Sequence, residues 1–191
     1  VAERVVLVDA DPDGGALSAT LGLGSTPGLV SVAASSRHGV VGDELVRHVQ
    51  SCSPRFDVLA APVAPNRCVA ALGRLAGCWS ELVSSTATVA DLGRWQQNSP
   101  ALPLVDAASA VVLVVDPTVA GVAHARCALE DLAGRCSRVV VVARGGGRYP
   151  AGEVAAGLGV ERVWEVRTDR VAVAHLGAVA AGRWPRRSVL A

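Results

Sequence analysis

The sequence predicts an α/β fold, a mostly parallel, doubly wound sheet with helices on both faces. Three observations carry that expectation. Short Val-rich runs recur along the 191 residues, helical patterns fill the intervals, and several runs end in Asp or Gly. The runs are residues 5–8, 56–60, 86–90, 111–115, 139–142 and 163–166. They are continuous rather than alternating, as strands covered on both faces are. Between them, Val69, Leu72, Leu75, Trp79 and Leu82 recur at helical steps through residues 66–83. Val122, Ala125, Leu129 and Leu132 do the same through 118–135. Alternating elements of this kind join through right-handed crossovers. With no internal repeat and no long linker, one domain is the economical expectation. Residues 31–42 and 145–150 are the most loop-like stretches.

Composition narrows the class. Hydrophobic residues make up 51% and mean hydropathy is +0.39, high for a soluble chain. No apolar run approaches the roughly 18–20 residues that span a bilayer, so the surplus reads as buried strands. All 18 basic residues are Arg, and Lys, Ile and Met are absent, the signature of a GC-rich genome. A net charge of +1 gives no specific nucleic-acid signal and no attraction to an anionic membrane. The five cysteines are odd in number and lack C-x-x-C spacing, so buried thiols in a reducing cytoplasm are expected rather than a disulfide or metal framework. Arg4 runs directly into a strand, so no signal peptide is expected. The mixed Arg and apolar residues of 183–190 are interrupted by Pro185 and read as a solvated tail, with peripheral membrane contact left open.

Ligands of parallel sheets bind beyond the carboxyl ends of the strands, so what each strand delivers there matters. The first brings Asp9 and Asp11. Two carboxylates two residues apart can hold Mg²⁺ through water and orient an attacking water. Asp13-Gly14-Gly15 then resembles a helix start, with Asp13 as cap and amides facing an anion. The same residues also fit an Asp-Pro turn that merely ends a strand. The third strand ends in Asp91, a lone carboxylate suited to holding Mg²⁺ through water. Asp116-Pro117-Thr118 reads as an ordinary helix start, with no catalytic role for Asp116. Arg144-Gly145-Gly146-Gly147-Arg148 follows the fifth strand and could approach a phosphate or a base, or form a surface loop. It is not G-x-G-x-x-G. His38, His48, His124 and His175 show no metal spacing.

With these residues in place, the chain resembles the MinD/ParA-type ATPases, the P-loop group with a deviant Walker A motif, and within it the septum-site and CpaE-like branch. Residues 5–15 resemble that family's V-L-L-V-D-x-D-P-x-G-G/N segment, 89–94 its Walker B strand, and 110–117 its V-x-L-V-V-x-P strand and turn. The remaining elements follow the family's order, so the resemblance covers nearly the whole chain. It implies ATP and Mg²⁺ as cofactors. Asp11 would position the attacking water as the catalytic residue, and Asp9 and Asp91 would stand at the metal. Asp9, Gly14, Gly15 and Arg144 would contact the nucleotide, Arg144 at a base-reading position that is commonly Asn. A homodimer, a protein partner controlling localisation and a cytoplasmic role in cell division, chromosome partitioning or pilus placement are also implied.

The family's K-G-G-x-G-K-[ST] loop and its strand, a unit of about 30 residues, do not stand in this sequence. The resemblance therefore implies a single domain over 1–191, incomplete at its N-terminal end. That loop supplies most triphosphate contacts, and carboxylates alone repel ATP. Weak or no ATP binding, unpaired sheet edges and exposed apolar faces are the consequent expectations. The alternative is a non-enzymatic pseudo-ATPase scaffold acting through dimer and partner surfaces. A receiver-like phosphoacceptor domain needs a lysine, and a Rossmann dehydrogenase needs its glycine fingerprint; both are missing.

Overall fold

A computed structural model of the protein describes residues 4–38, 44–145 and 147–174. In chain order the elements are β1 (Val5–Asp9), α1 (Leu17–Leu21), α2 (Leu29–Ser35), a 3-10 turn at Ser36–His38, α3 (Glu44–Arg47), β2 (Gln50–Ser51) and β3 (Phe56–Leu59). Then come α4 (Pro65–Leu75), α5 (Trp79–Leu82), β4 (Thr88–Asp91), α6 (Leu102–Asp106), β5 (Val111–Val115) and α7 (Val119–Ala133). The series closes with β6 (Val139–Arg144), α8 (Ala151–Leu158), β7 (Val163–Val166) and α9 (Arg170–Ala174). The architecture is α/β with mostly parallel sheets and helices on both sides, the class that the alternation predicts. Two compact units emerge, one from the residues up to Ala107 together with those after Arg170, the other Ala108–Arg170.

The first unit is built on a four-stranded sheet in the order β2-β3-β1-β4. Its central strand β1 pairs in parallel with β3, Val5 opposite Phe56, and with β4, Asp9 opposite Asp91. Only β2 runs antiparallel, against β3. A strand flanked on both sides must be apolar, and Val6 and Val8 are fully buried. Leu29 and Val32 of α2, Leu72 and Leu75 of α4, Trp79 and Leu82 of α5 and Leu104 of α6 join them in one core.

Three sequence expectations change here. The helical pattern of 66–83 is split into α4 and α5, because the Cys78 N–H turns back to the Leu75 carbonyl (2.8 Å) around the exposed Gly77. The apolar spacing persists since both helices feed the same core. Residues 31–42 are not simply a loop, for α2 runs through Ser35. Its start is fixed by Ser31, whose hydroxyl accepts the Gly28 N–H (3.0 Å) and donates to the Gly28 carbonyl (2.8 Å). Residues 39–43 lie outside the described residues. Third, the strand expected at 86–90 lies two residues later at its start, which places Asp91 inside it.

The second unit is a parallel sheet in the order β5-β6-β7. Helix α7 starts at Thr118, whose side-chain oxygen accepts the Gly121 N–H (3.0 Å). Ala125 of α7 and Val154 and Leu158 of α8 cover Val115, Val141, Ala143 and Val163. The register puts Val112, Val114, Trp164 and Val166 on the opposite face of the sheet. All four are more than half exposed. Arg162 lies over the Trp164 ring at 5.0 Å. Among the described residues, β4 pairs only with β1 and β5 only with β6, so each sheet keeps an edge with open backbone groups. Apolar surface beside open edges favours association of chains. No helix among the described residues is long and apolar enough to cross a membrane.

At the start of β1, Arg4 clamps three segments. Its Nε donates to Asp57 Oδ2 (3.0 Å), and its Nη2 reaches Asp57 Oδ1, Ser51 Oγ (3.0 Å) and the Ser53 carbonyl (3.3 Å). Asp57 is nearly buried. Arg4→Ala leaves its carboxylate without its main partner and is expected to lower stability by about 1–3 kcal/mol, measured by urea denaturation at low salt. Because Arg4 itself is half exposed, the lower part of that range applies.

Candidate functional site

The register of β1 against β4 brings Asp9 and Asp91 side by side at the carboxyl ends of their strands. Asp9 is only 1% exposed, and its Oδ2 accepts the Leu17 N–H (3.1 Å). Burial pushes its carboxyl above the usual range; the Leu17 amide opposes this, and the charges of Asp91 and Asp11 reinforce it. Asp11 is half buried. Its Oδ1 accepts the Asp13 N–H (2.9 Å), and its backbone carbonyl accepts the Cys68 thiol (3.0 Å). Buried beside Asp9 and Asp11, that thiol is pushed up to about 11, so it is a fixed donor and not a nucleophile. Asp91 is exposed, and its Oδ1 accepts the Gly93 N–H (3.1 Å).

Gly14 and Gly15 wrap this cluster. Their N–H groups bond to the carbonyls of Asp11 (3.1 Å) and Pro62 (3.0 Å), so both amides are already engaged within the fold. A Cβ on Gly15 would lie 2.6 Å from both Asp9 Oδ2 and the Ala61 Cβ, which only glycine avoids. Asp13 is not the expected cap: α1 starts after Ala16 with no side-chain cap, because the Asp13 backbone is tied to Asp11.

Asp9, Asp11, Gly14, Gly15 and Asp91 are thus brought together in the first unit, while Arg144 stands in the second. There it ends β6 and pairs with Asp116 (Nη2–Oδ1 2.7 Å). A cavity of about 360 Å³ opens beside it, lined among others by Pro117, Gly145, Gly147, Tyr149 and Glu165. Sequence reasoning gave Asp116 no role, and it missed both Gly93 and Cys68. The Asp-Leu-Gly turn was a signal for Gly93; Cys68 had none beyond its place on a helix.

Carboxylates are hard oxygen donors, and those of Asp9, Asp11 and Asp91 suit Mg²⁺. Among the described residues, no three His, Cys, Asp or Glu side chains converge closely enough to hold an ion alone. A cation here would rely on water and phosphate oxygens for much of its shell. The donor chemistry of the three carboxylates is compatible with a hydrated Mg²⁺, whereas their spacing does not enclose one. The glycine amides offer a triphosphate no free donors, because both are engaged within the fold.

The chain is an α/β fold with acidic residues gathered at the carboxyl ends of parallel strands. More particularly, it has the fold of the ParA and MinD ATPases. It is similar to a ParA family ATPase from Chlorobium tepidum, with a TM-score of 0.77 and 17% identity over 95% of this chain and 77% of that one. The cell division ATPase MinD of Pyrococcus furiosus gives 0.71 and 16%, over 97% and 80%. An ATP complex of McdA from Cyanothece gives 0.56 and 17%, over 85% and 70%. No family model and no curated protein matches the chain.

Asp9 provides a test of the electrostatics. Its carboxyl is raised in the folded state, so its ionised form costs stability above that raised value, and the cost vanishes as pH falls through it. Asp9→Asn keeps an acceptor for Leu17 and removes the charge. It is expected to raise the melting temperature at pH 8, with the gain shrinking as pH falls toward about 4. Differential scanning calorimetry across that range reads both effects.

Proposed function

We propose that this chain is a MinD/ParA-type nucleotide-dependent positioning protein, acting in the placement of the division site, the chromosome or a pilus or secretion machine. The observation that supports this most is the meeting of Asp9, Asp11 and Asp91 at the strand ends of a ParA/MinD fold. ATP is the proposed nucleotide. Asp9 and Asp91 would hold Mg²⁺ largely through water, and the ion would neutralise charge on phosphate oxygens. Asp11, fixed at its carbonyl by Cys68 and at Oδ1 by Asp13, would orient the attacking water through its second oxygen. Gly14 and Gly15 would shape the floor around Asp9. A cytoplasmic homodimer whose placement is set by a protein partner completes the reading.

A pseudo-ATPase scaffold is the second reading. The engaged amides of Gly14 and Gly15 favour it. Calorimetric titration of residues 1–191 with MgATP, together with phosphate release, separates the two. Millimolar or no ATP binding is expected of this chain, and binding in the micromolar range would overturn that expectation. Mn²⁺ alone, read by electron paramagnetic resonance, is expected to bind and to weaken at least ~10-fold in Asp91→Asn. Failure of Mn²⁺ to bind would remove the cation site and leave the scaffold.

A further inference from the structure

The contacts around Asp11 point to a residue to which the sequence patterns assign no role. A methyl group placed on Gly93 would lie 2.3 Å from Asp11 Cγ and Oδ1 and 2.6 Å from Oδ2. The turn after β4 is therefore seated directly against the Asp11 carboxylate. Gly93 holds φ +66°, a conformation that side-chain-bearing residues rarely adopt. Its N–H donates to Asp91 Oδ1 (3.1 Å). One residue thus touches both carboxylates, Asp91 through its amide and Asp11 through its bare Cα.

Asp11 has little room to retreat. Its carbonyl is held by the buried Cys68 thiol, and its Oδ1 by the Asp13 amide. A side chain at position 93 would push the carboxylate off the Asp13 N–H or push the turn off Asp91. We propose that Gly93 is a positioning residue for Asp11, and that it couples the orientation of Asp11 to that of Asp91. A cation drawn to Asp91 would shift the turn it caps, and Gly93 would pass that shift to the Asp11 carboxylate beyond the adjacent strand. The functional meaning of this coupling rests on the cation reading above, whereas the contact itself does not.

A double-mutant cycle on the whole chain tests it, with urea midpoints of the wild type, Gly93→Ala, Asp11→Ala and the double variant. Backbone strain from alanine at φ +66° is common to both backgrounds and cancels in the cycle. The expected result is a midpoint loss from Gly93→Ala that is about twofold larger with Asp11 present than with Ala at 11. Equal losses in both backgrounds would overturn the proposal. Should Gly93→Ala fail to fold, Gly93→Asn serves instead, since Asn tolerates the left-handed region; rescue by Asp11→Ala supports the contact and no rescue refutes it. Mn²⁺ affinity is the readout that a merely structural role would not move. It is expected to fall ~10-fold in folded Gly93→Ala, and an unchanged affinity would refute the coupling. If the wild type binds no Mn²⁺, the cation reading fails by itself, and the stability cycle still decides whether Gly93 seats Asp11.

Discussion

Parallel pairing between β1 and β4, with Asp9 opposite Asp91, governs the chemistry of the first sheet. It forces two acidic strand ends together, and Asp11 joins them two residues later. Slipping the register by one residue would relieve the crowding but would turn Val6 and Val8 out of the core, so packing holds the carboxylates in place against their repulsion. The backbone supplies what relief there is. Each carboxylate accepts a backbone amide, among them Leu17 to Asp9, Asp13 to Asp11 and Gly93 to Asp91. Hydrogen bonds to ionised acceptors are stronger than neutral ones, and three of them make the cluster tolerable without neutralising it.

The two ends of β1 therefore differ in kind. At the amino end, the Arg4 guanidinium meets Asp57, and charge is matched within the fold. At the carboxyl end, the acidic groups are held by neutral amides, and burial raises Asp9. A structural ion pair completes itself, whereas the acidic strand end keeps its charges without a cationic partner among the described residues, the arrangement on which the proposed cation reading rests. The contrast is internal to one strand, so it does not depend on the likeness to other ATPases.

Much of this was legible in the sequence, because Val-rich runs and apolar spacing report burial directly. All six runs became strands, and Asp9, Asp11 and Asp91 fell at strand ends as their positions implied. The two-residue β2 was invisible, since Gln50-Ser51 has no apolar pattern and pairs only through its backbone. Helix α2 was hidden by Gly28 and Ser31, which read as loop residues but act as a start signal through hydrogen bonds at both ends of the Ser31 hydroxyl. Gly93 was written in the sequence as a plain turn residue. Its contact with Asp11 arises only when distant strands are adjacent, and no local pattern encodes that. Asp116 and Arg144 pair for the same reason, across neighbouring strands rather than along one.

The electrostatics also fix an order of events. Bare, the acidic strand ends repel a phosphate, and the engaged glycine amides do not offset this. A triphosphate approaching alone is repelled. A divalent cation approaching alone is attracted, and once bound it reverses the local sign. Phosphate oxygens can then enter as ligands of the ion rather than of the protein. On the proposed reading, the chain would meet nucleotide as a metal complex, with phosphate oxygens held by the ion. On that reading Asp11 would gain its role only in the loaded state, with a water between its free oxygen and the phosphate, and until then the Gly93 turn packed against it would keep it aligned.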